Sequence, residues 1–204
     1  IMFPITDPRG NIIAFSGRAL DNETMPKYVN TKETLLYRKG ETVFGLNLAR
    51  DEIKKQGSVI LMEGEFDVIS SHREGIGNTV AVKGTALTPE QIDLLRRYSQ
   101  KLVFCFDTDA AGTSAQRRSI ELIEKAGVVA SVIVLPTGKD PDELLSTDPI
   151  AFKQAVKKDV HIYDFIIDSA VSQFDSNNVD GKRDILLKTV PYLSAIDNEV
   201  IKEH

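Results

Sequence analysis

Val103-Phe-Cys-Phe-Asp107-Thr-Asp109-Ala-Ala-Gly112 is the stretch on which the architecture of this 204-residue chain turns. An apolar run of strand length ends in two carboxylates two residues apart, and a glycine then opens a helix-like segment. Residues i and i+2 of a strand share a side, so Asp107 and Asp109 are positioned to face one cation as the strand ends. Two further acidic clusters follow apolar runs: Glu63-Gly64-Glu65-Phe66-Asp67 after Val59-Ile-Leu-Met62, and Asp140-Pro-Asp142-Glu143 after Val132-Ile-Val-Leu135. Open α/β sheets bind ligands at the carboxyl ends of parallel strands. The pattern predicts a divalent-metal site on such a sheet.

Working outward, residues 58–135 keep an α/β rhythm. Strands are predicted at 59–62, 79–82, 102–106 and 128–135, with helices at 66–73, 88–98 and 114–126. Thr88-Pro89-Glu90-Gln91 is a strong helix start, with Thr as N-cap, Pro at the first helical position and Gln at the third. Four apolar runs without polar alternation indicate a mostly parallel sheet covered on both faces. Right-handed crossovers then bring the strand ends carrying Glu63, Asp107 and Asp140 to one edge.

Before this unit, residues 1–5 and 11–17 read as a hairpin around the turn Asp7-Pro8-Arg9-Gly10. Residues 21–42 are polar and show no convincing period, and 45–55 reads as a helix stopped by Gly57. After Leu145 helices are predicted over 149–157, 162–173, 180–193 and 196–203, the second with a 3-4 spacing of Ile162, Phe165, Ile166, Ser169 and Ala170. The fold class is therefore α/β: a mostly parallel sheet flanked by helices, a small β-rich segment ahead of it and a helical subdomain behind. The boundaries fall at 1–57, 58–145 and 146–204.

The net charge of −5 argues weakly against nucleic acid, but residues 1–50 carry seven Lys/Arg against five Asp/Glu while the remainder is acidic. A mildly basic front beside an acidic centre suits a protein that grips phosphates with one part and metals with another. The single cysteine, Cys105, sits between two phenylalanines and reads as a buried hydrophobe. One cysteine allows no internal disulfide, which suits a reducing cytoplasm, and no apolar run is long enough to span a bilayer. The chain opens without Met and directly in a strand, as expected of a cut through a larger protein.

Clustered carboxylates repel, and burying them unpaired is costly. A hard cation relieves this: Mg²⁺ binds through a few carboxylates plus substrate phosphates, and Mn²⁺ accepts the same ligands. Glu63, Asp107, Asp109, Asp140 and Asp142 form the candidate ligand set for one or two ions. Bland readings compete. Asp140 is equally a good helix N-cap, and Asp67 suits a first-turn helix acid. The role of Glu65 depends on whether the turn after Glu63 stays extended. His72, His161 and His204 lack metal-ligand spacing, and no Cys/His zinc spacing occurs.

The three acidic motifs resemble those of the topoisomerase–primase (Toprim) domain. The front narrows the resemblance: Met2-Phe-Pro-Ile5, Gly10-Asn-Ile-Ile-Ala-Phe-Ser-Gly-Arg18, Pro26-Lys27-Tyr28-Val-Asn30-Thr and Lys39-Gly40 are similar to the bacterial replicative DNA primases, as are Phe44-Gly45-Leu46 and Lys83-Gly84-Thr85-Ala86-Leu87-Thr88. The resemblance implies a nucleotidyltransferase that makes short RNA primers on single-stranded DNA from ribonucleoside triphosphates, holding an RNA–DNA hybrid and using Mg²⁺ or Mn²⁺. It implies Glu63, Asp107 and Asp109 as the principal catalytic metal acids, with Asp140 and Asp142 completing the site. It assigns Arg18, Lys27 and Lys39 to template and nucleotide, with Tyr28 and Asn30 in the same motif. Lys83 departs from the smaller or neutral residue expected there, and reads as a phosphate contact or a strand-end cap. The resemblance further implies that the zinc-binding domain, the first part of the polymerase core and the helicase-binding domain are absent here. A piece of this kind would prime poorly or not at all.

Two other classes compete. A Toprim nuclease would keep the acids but lack the Arg18–Lys27–Tyr28–Lys39 front, and a topoisomerase needs an activated tyrosine, which none of the five tyrosines suggests. A non-catalytic nucleic-acid-binding or assembly module would not need all five motif acids.

Overall fold

The structure, a computed structural model, describes residues 1–20, 25–83, 87–105, 114–136, 140–194 and 196, leaving the side chains of 114–117 undescribed. Strands β1 (Met2–Thr6) and β2 (Ile12–Arg18) form the antiparallel hairpin that the turn chemistry predicts. Asp7 Oδ1 accepts from the backbone N–H groups of Arg9 at 2.8 Å and Asn11 at 2.9 Å, and Gly10 takes the left-handed φ of +95° that closes the turn. Alternation turns Phe3, Ile5, Ala14 and Ser16 inward. Ile5 and Ala14 meet Tyr37 in a small core beneath this sheet.

A third strand, β3 (Tyr28–Asn30), pairs antiparallel with β2 through Arg18↔Tyr28, Gly17↔Val29 and Ser16↔Asn30. It lies in the region that shows no period in the sequence. Three residues are too few for a period to register, and all three are exposed, so backbone pairing alone defines the strand. Helix α1 (Leu46–Gln56) then buries Leu46, Ala49 and Ile53, and ends at Gly57 with φ +67°.

From there the chain alternates: β4 (Val59–Met62), α2 (Glu65–Arg73), β5 (Thr79–Ala81), α3 (Pro89–Leu95), β6 (Lys101–Phe104), α4 (Ser114–Lys125) and β7 (Val129–Val132). Next come α5 (Pro141–Thr147), α6 (Pro149–Val156), β8 (Val160–His161), α7 (Ile162–Gln173) and α8 (Val179–Leu193). The sheet order is β5-β4-β6-β7-β8, with the first four strands parallel and β8 antiparallel to β7. Every residue of β4 is buried, as its unbroken Val-Ile-Leu-Met run requires of a strand covered on both sides.

Strand parity splits the apolar residues between two cores. Val59, Leu61, Leu102 and Phe104 pack with α1, α3, α4 and α7 on one face. Ile60, Met62, Val103 and Cys105 pack with Val68 of α2, Leu144 and Leu145 of α5 and Phe152 of α6 on the other. Cys105 is a fully buried member of that second core. The helix predicted over 196–203 lies almost entirely outside the described residues. Among the described residues, no helix is long and apolar enough to cross a membrane.

Candidate metal and nucleotide site

The sheet order defines where a ligand would sit. From β4 the chain runs through α2 on one face to β5, then returns through α3 on the other face to β6, on the opposite side of β4. The helices following the adjacent strands β4 and β6 thus lie on opposite faces. Between their carboxyl ends opens the topological switch point, the crevice where such sheets bind ligands. Glu63 is the first residue after β4, and its side chain is exposed there. Cys105 donates its backbone N–H to the Leu61 carbonyl at 2.9 Å, carrying the pairing one residue beyond β6. The described part of this segment ends there, next to the end of β4. Asp107 and Asp109 come next in sequence and lie outside the described residues.

Around Glu63 the other acids of the motif separate. Gly64 precedes α2 in an extended conformation, and its N–H donates to Asp67 Oδ2 at 3.0 Å, so Asp67 caps the helix. Glu65 turns inward. Its carboxylate meets the Lys83 ammonium at 2.5 Å, with side-chain exposures of only 9% and 11%. Burial pushes the Glu65 carboxyl up, but Lys83 and the Ser16 hydroxyl together hold it below the usual glutamate range. Lys83 Nζ also donates to Asn30 Oδ1 at 2.7 Å. Residues from β2, β3, α2 and the segment just after β5 therefore converge on one polar cluster, buried at Glu65 and exposed at Asn30.

Of the third motif, Asp140 caps α5 by accepting from the Glu143 N–H at 2.6 Å, while Asp142 Oδ1 accepts from Ser70 Oγ of α2 at 2.5 Å. Each contact uses a single carboxylate oxygen, and a carboxylate offers about four lone-pair positions, so neither bond exhausts its acid. Among the described residues, no three His, Cys, Asp or Glu side chains are gathered as a metal cluster. Glu63, Asp107, Asp109, Asp140 and Asp142 are all hard oxygen donors, a set that fits Mg²⁺ or Mn²⁺ better than soft-ligand metals.

Of the basic residues, Arg18 and the Lys39 turn lie at the seam between the front segment and the parallel-sheet unit. The Arg18 guanidinium lies over the Phe66 ring at 4.6 Å and near Tyr28 at 5.5 Å, and Phe66 in turn meets Phe3 edge-on. Lys27 and Tyr28 are exposed on or next to β3. Lys39 opens a single 3-10 turn, Lys39–Glu41; its N–H donates to Glu33 Oε1 at 3.3 Å, and Gln91 of α3 donates to the carbonyls of Lys39 and Thr42. The capping pair that starts α3 thereby also holds the Lys39 turn, since Thr88 Oγ1 donates to the Gly40 carbonyl. Ser16, Phe66 and Gln91 lie within stretches quoted from the sequence, but their contacts with Glu65, Arg18 and the Lys39 turn emerge only from long-range packing.

A Toprim-type α/β sheet, with an acidic switch point, a basic antiparallel front and a helical tail, is the class that this geometry defines. Three family models match along the chain: "DNA primase catalytic core, N-terminal domain" over residues 1–50, "Toprim-like" over 60–145 and "DnaB-helicase binding domain of primase" over 163–204. A DNA primase of Clostridium acetobutylicum is 38% identical over 203 residues, covering 98% of this chain and 33% of that protein. The zinc-binding and RNA polymerase domains of Aquifex aeolicus primase superpose with a TM-score of 0.80 at 34% identity, over 99% of this chain and 48% of that one. The RNA polymerase domain of Mycobacterium tuberculosis primase in complex with double-stranded DNA reaches 0.83 at 32% identity, over 99% and 66%. The chain belongs to the catalytic core of the bacterial DNA primases. It spans about a third of the length of the curated primase from Clostridium.

One expectation is overturned. The helicase contact was expected in a part of the protein absent here, yet residues 163–204 match the helicase-binding domain model. The 3-4 spacing of α7 identifies the side of a helix that packs inward and is silent on what meets the other side. Tyr163 and Ile166 do join the core, with Tyr163 donating to Glu124 of α4 at 3.1 Å. Ile167, Val171, Leu186, Leu187 and Val190 stay exposed on α7 and α8.

Proposed function

We propose that this chain is the metal- and nucleotide-handling part of an enzyme that builds short RNA primers on single-stranded DNA. The observation that carries the reading is the crevice between β4 and β6, with Glu63 at its lip and the Asp-x-Asp stretch following β6. In this reading Glu63, Asp107 and Asp109 hold Mg²⁺, with Asp140 and Asp142 completing the site and Mn²⁺ able to replace it. When bound, the ion neutralises charge on the triphosphate and on the departing pyrophosphate.

The protein's own contribution is positioning. Lys27 and Lys39 present mobile positive charge to template and incoming nucleotide. Arg18, whose guanidinium lies over the Phe66 ring, supplies a planar fork of donors for a phosphate. Tyr28 and Asn30 complete the front of the site, and the RNA–DNA hybrid leaves along this basic seam. Segments 1–57, 58–145 and 146–204 act as the basic front, the catalytic Toprim unit and the helical tail.

The test is ribonucleotide incorporation on a single-stranded template by a primase polypeptide containing this segment. Outer-shell partners of metal sites commonly cost 10–100-fold when lost, so Asp107→Ala or Asp109→Ala, which remove direct ligands, should cost about 100-fold or more. Circular dichroism should show both variants folded. Near-normal incorporation by both would refute the reading.

A further inference from the structure

The buried pair Glu65–Lys83 lies outside the set of groups that the proposed chemistry uses, although it sits two residues from Glu63 and reaches Asn30 in the basic strand. We propose that Lys83 is a positioning residue, which locks the basic strand β3 in place relative to the acidic lip at Glu63; the inference rests on the primase reading above.

Three observations carry it. Lys83 Nζ bridges Glu65 at 2.5 Å and Asn30 Oδ1 at 2.7 Å, joining the first residue of α2 to the last residue of β3. Its side chain is only 11% exposed and its charge is met by Glu65, so it offers little to a phosphate in solvent. And β3 buries no side chain of its own: Tyr28, Val29 and Asn30 are all exposed, and among the described residues the strand is held by pairing with β2, by Arg18 against Tyr28 and by this tie. A buried ion pair adds little net stability over an apolar pair of similar volume, and its best-attested use is to fix register. Here that register is the placement of β3, which carries Tyr28 and directly follows Lys27, relative to the start of α2. Ser16, which also engages Glu65, secures β2 to the same point.

The experiment compares the full 204-residue chain with Lys83→Met and with the double variant Glu65→Gln/Lys83→Met. Lys83→Met leaves Glu65 buried without its cation and should lower Tm, whereas the double variant, lacking both charges, should recover most of it. Amide hydrogen exchange of Tyr28–Asn30 should nevertheless stay about tenfold faster in the double variant, because the tie to Asn30 is gone. Affinity for a thymidine oligonucleotide should fall about three- to tenfold, since only part of the population then presents β3 correctly. The salt dependence of that affinity should keep its slope, while Lys27→Ala, losing a direct phosphate contact, should reduce the slope by about 0.7.

Wild-type exchange at β3 in the double variant would overturn the proposal, leaving the pair a packing feature. A slope reduced by about 0.7 in the double variant would overturn it differently, making Lys83 itself a phosphate contact. A wild-type chain that binds no oligonucleotide would count against the primase reading, and the exchange result would still decide the tie.

Discussion

Glu63 and Glu65 are separated by one glycine and have opposite fates, one exposed at the lip of the crevice and the other sealed against Lys83. The i, i+2 rule would have put them on one side had the strand continued, but α2 begins at Glu65 and rotates it toward the front sheet. The ligand candidates were therefore legible as residue types in a pattern, whereas the internal tie through Lys83 was not, because the partners of Lys83, Glu65 and Asn30, lie 18 and 53 positions away in sequence. Tyr37 was illegible for the same reason. It is fully buried under the hairpin, and burial first, then the charges of Glu65 and Glu33, pushes its phenol above the ordinary range. A folded-state pKa above the unfolded one gives stability that is complete below the unfolded value and lost as pH rises through the folded one. Thermal stability should accordingly fall as pH climbs beyond about 10, the unfolded tyrosine value. Tyr37→Phe should flatten that alkaline decline, measured by Tm against pH; an unchanged slope would show that the phenol stays protonated or titrates alike in both states.

Elements with strong local chemistry were readable. The Asp7–Gly10 turn, the Thr88–Gln91 cap, the unbroken apolar β4 and the span of α7 all appear where their residues predict. Among the elements that escaped are β3 and β8, of three and two residues, which exist through pairing with longer neighbours. Packing also sets limits that propensity misses. Gly181 lies in the first turn of α8, where alanine would ordinarily favour the helix by about 0.8–1 kcal/mol. Yet a Cβ there would stand 1.9 Å from the Asp175 carbonyl oxygen, and Asn178 Oδ1 already accepts from the Gly181 N–H at 2.6 Å. Gly181→Ala should therefore destabilise the chain by about 1–3 kcal/mol, the usual cost of overpacking, by forcing the 175–178 connection outward. Urea unfolding gives the sign directly: a variant more stable than wild type would show that the connection yields freely.

At the scale of the molecule, the order of strands does the organising. Because the chain turns from β5 back across β4 to β6, two adjacent strand ends open between helices on opposite faces. The acidic motifs follow strands at that edge, and the front sheet reaches it through Phe66, Arg18 and Lys83. The sheet and its edge follow from the apolar runs; the attachment of the front sheet depends on contacts between distant residues and had no counterpart in any local pattern. The central claim is that the lip at Glu63 and the Asp107–Asp109 stretch share one divalent cation. Soaking crystals of this chain with Mn²⁺ and locating the ion by anomalous scattering tests it most directly. The account predicts a peak within about 2.0–2.3 Å of oxygens of Glu63 and of at least one of Asp107 and Asp109. A peak bound elsewhere, or the three carboxylates turned to separate sides with no ion between them, would contradict it.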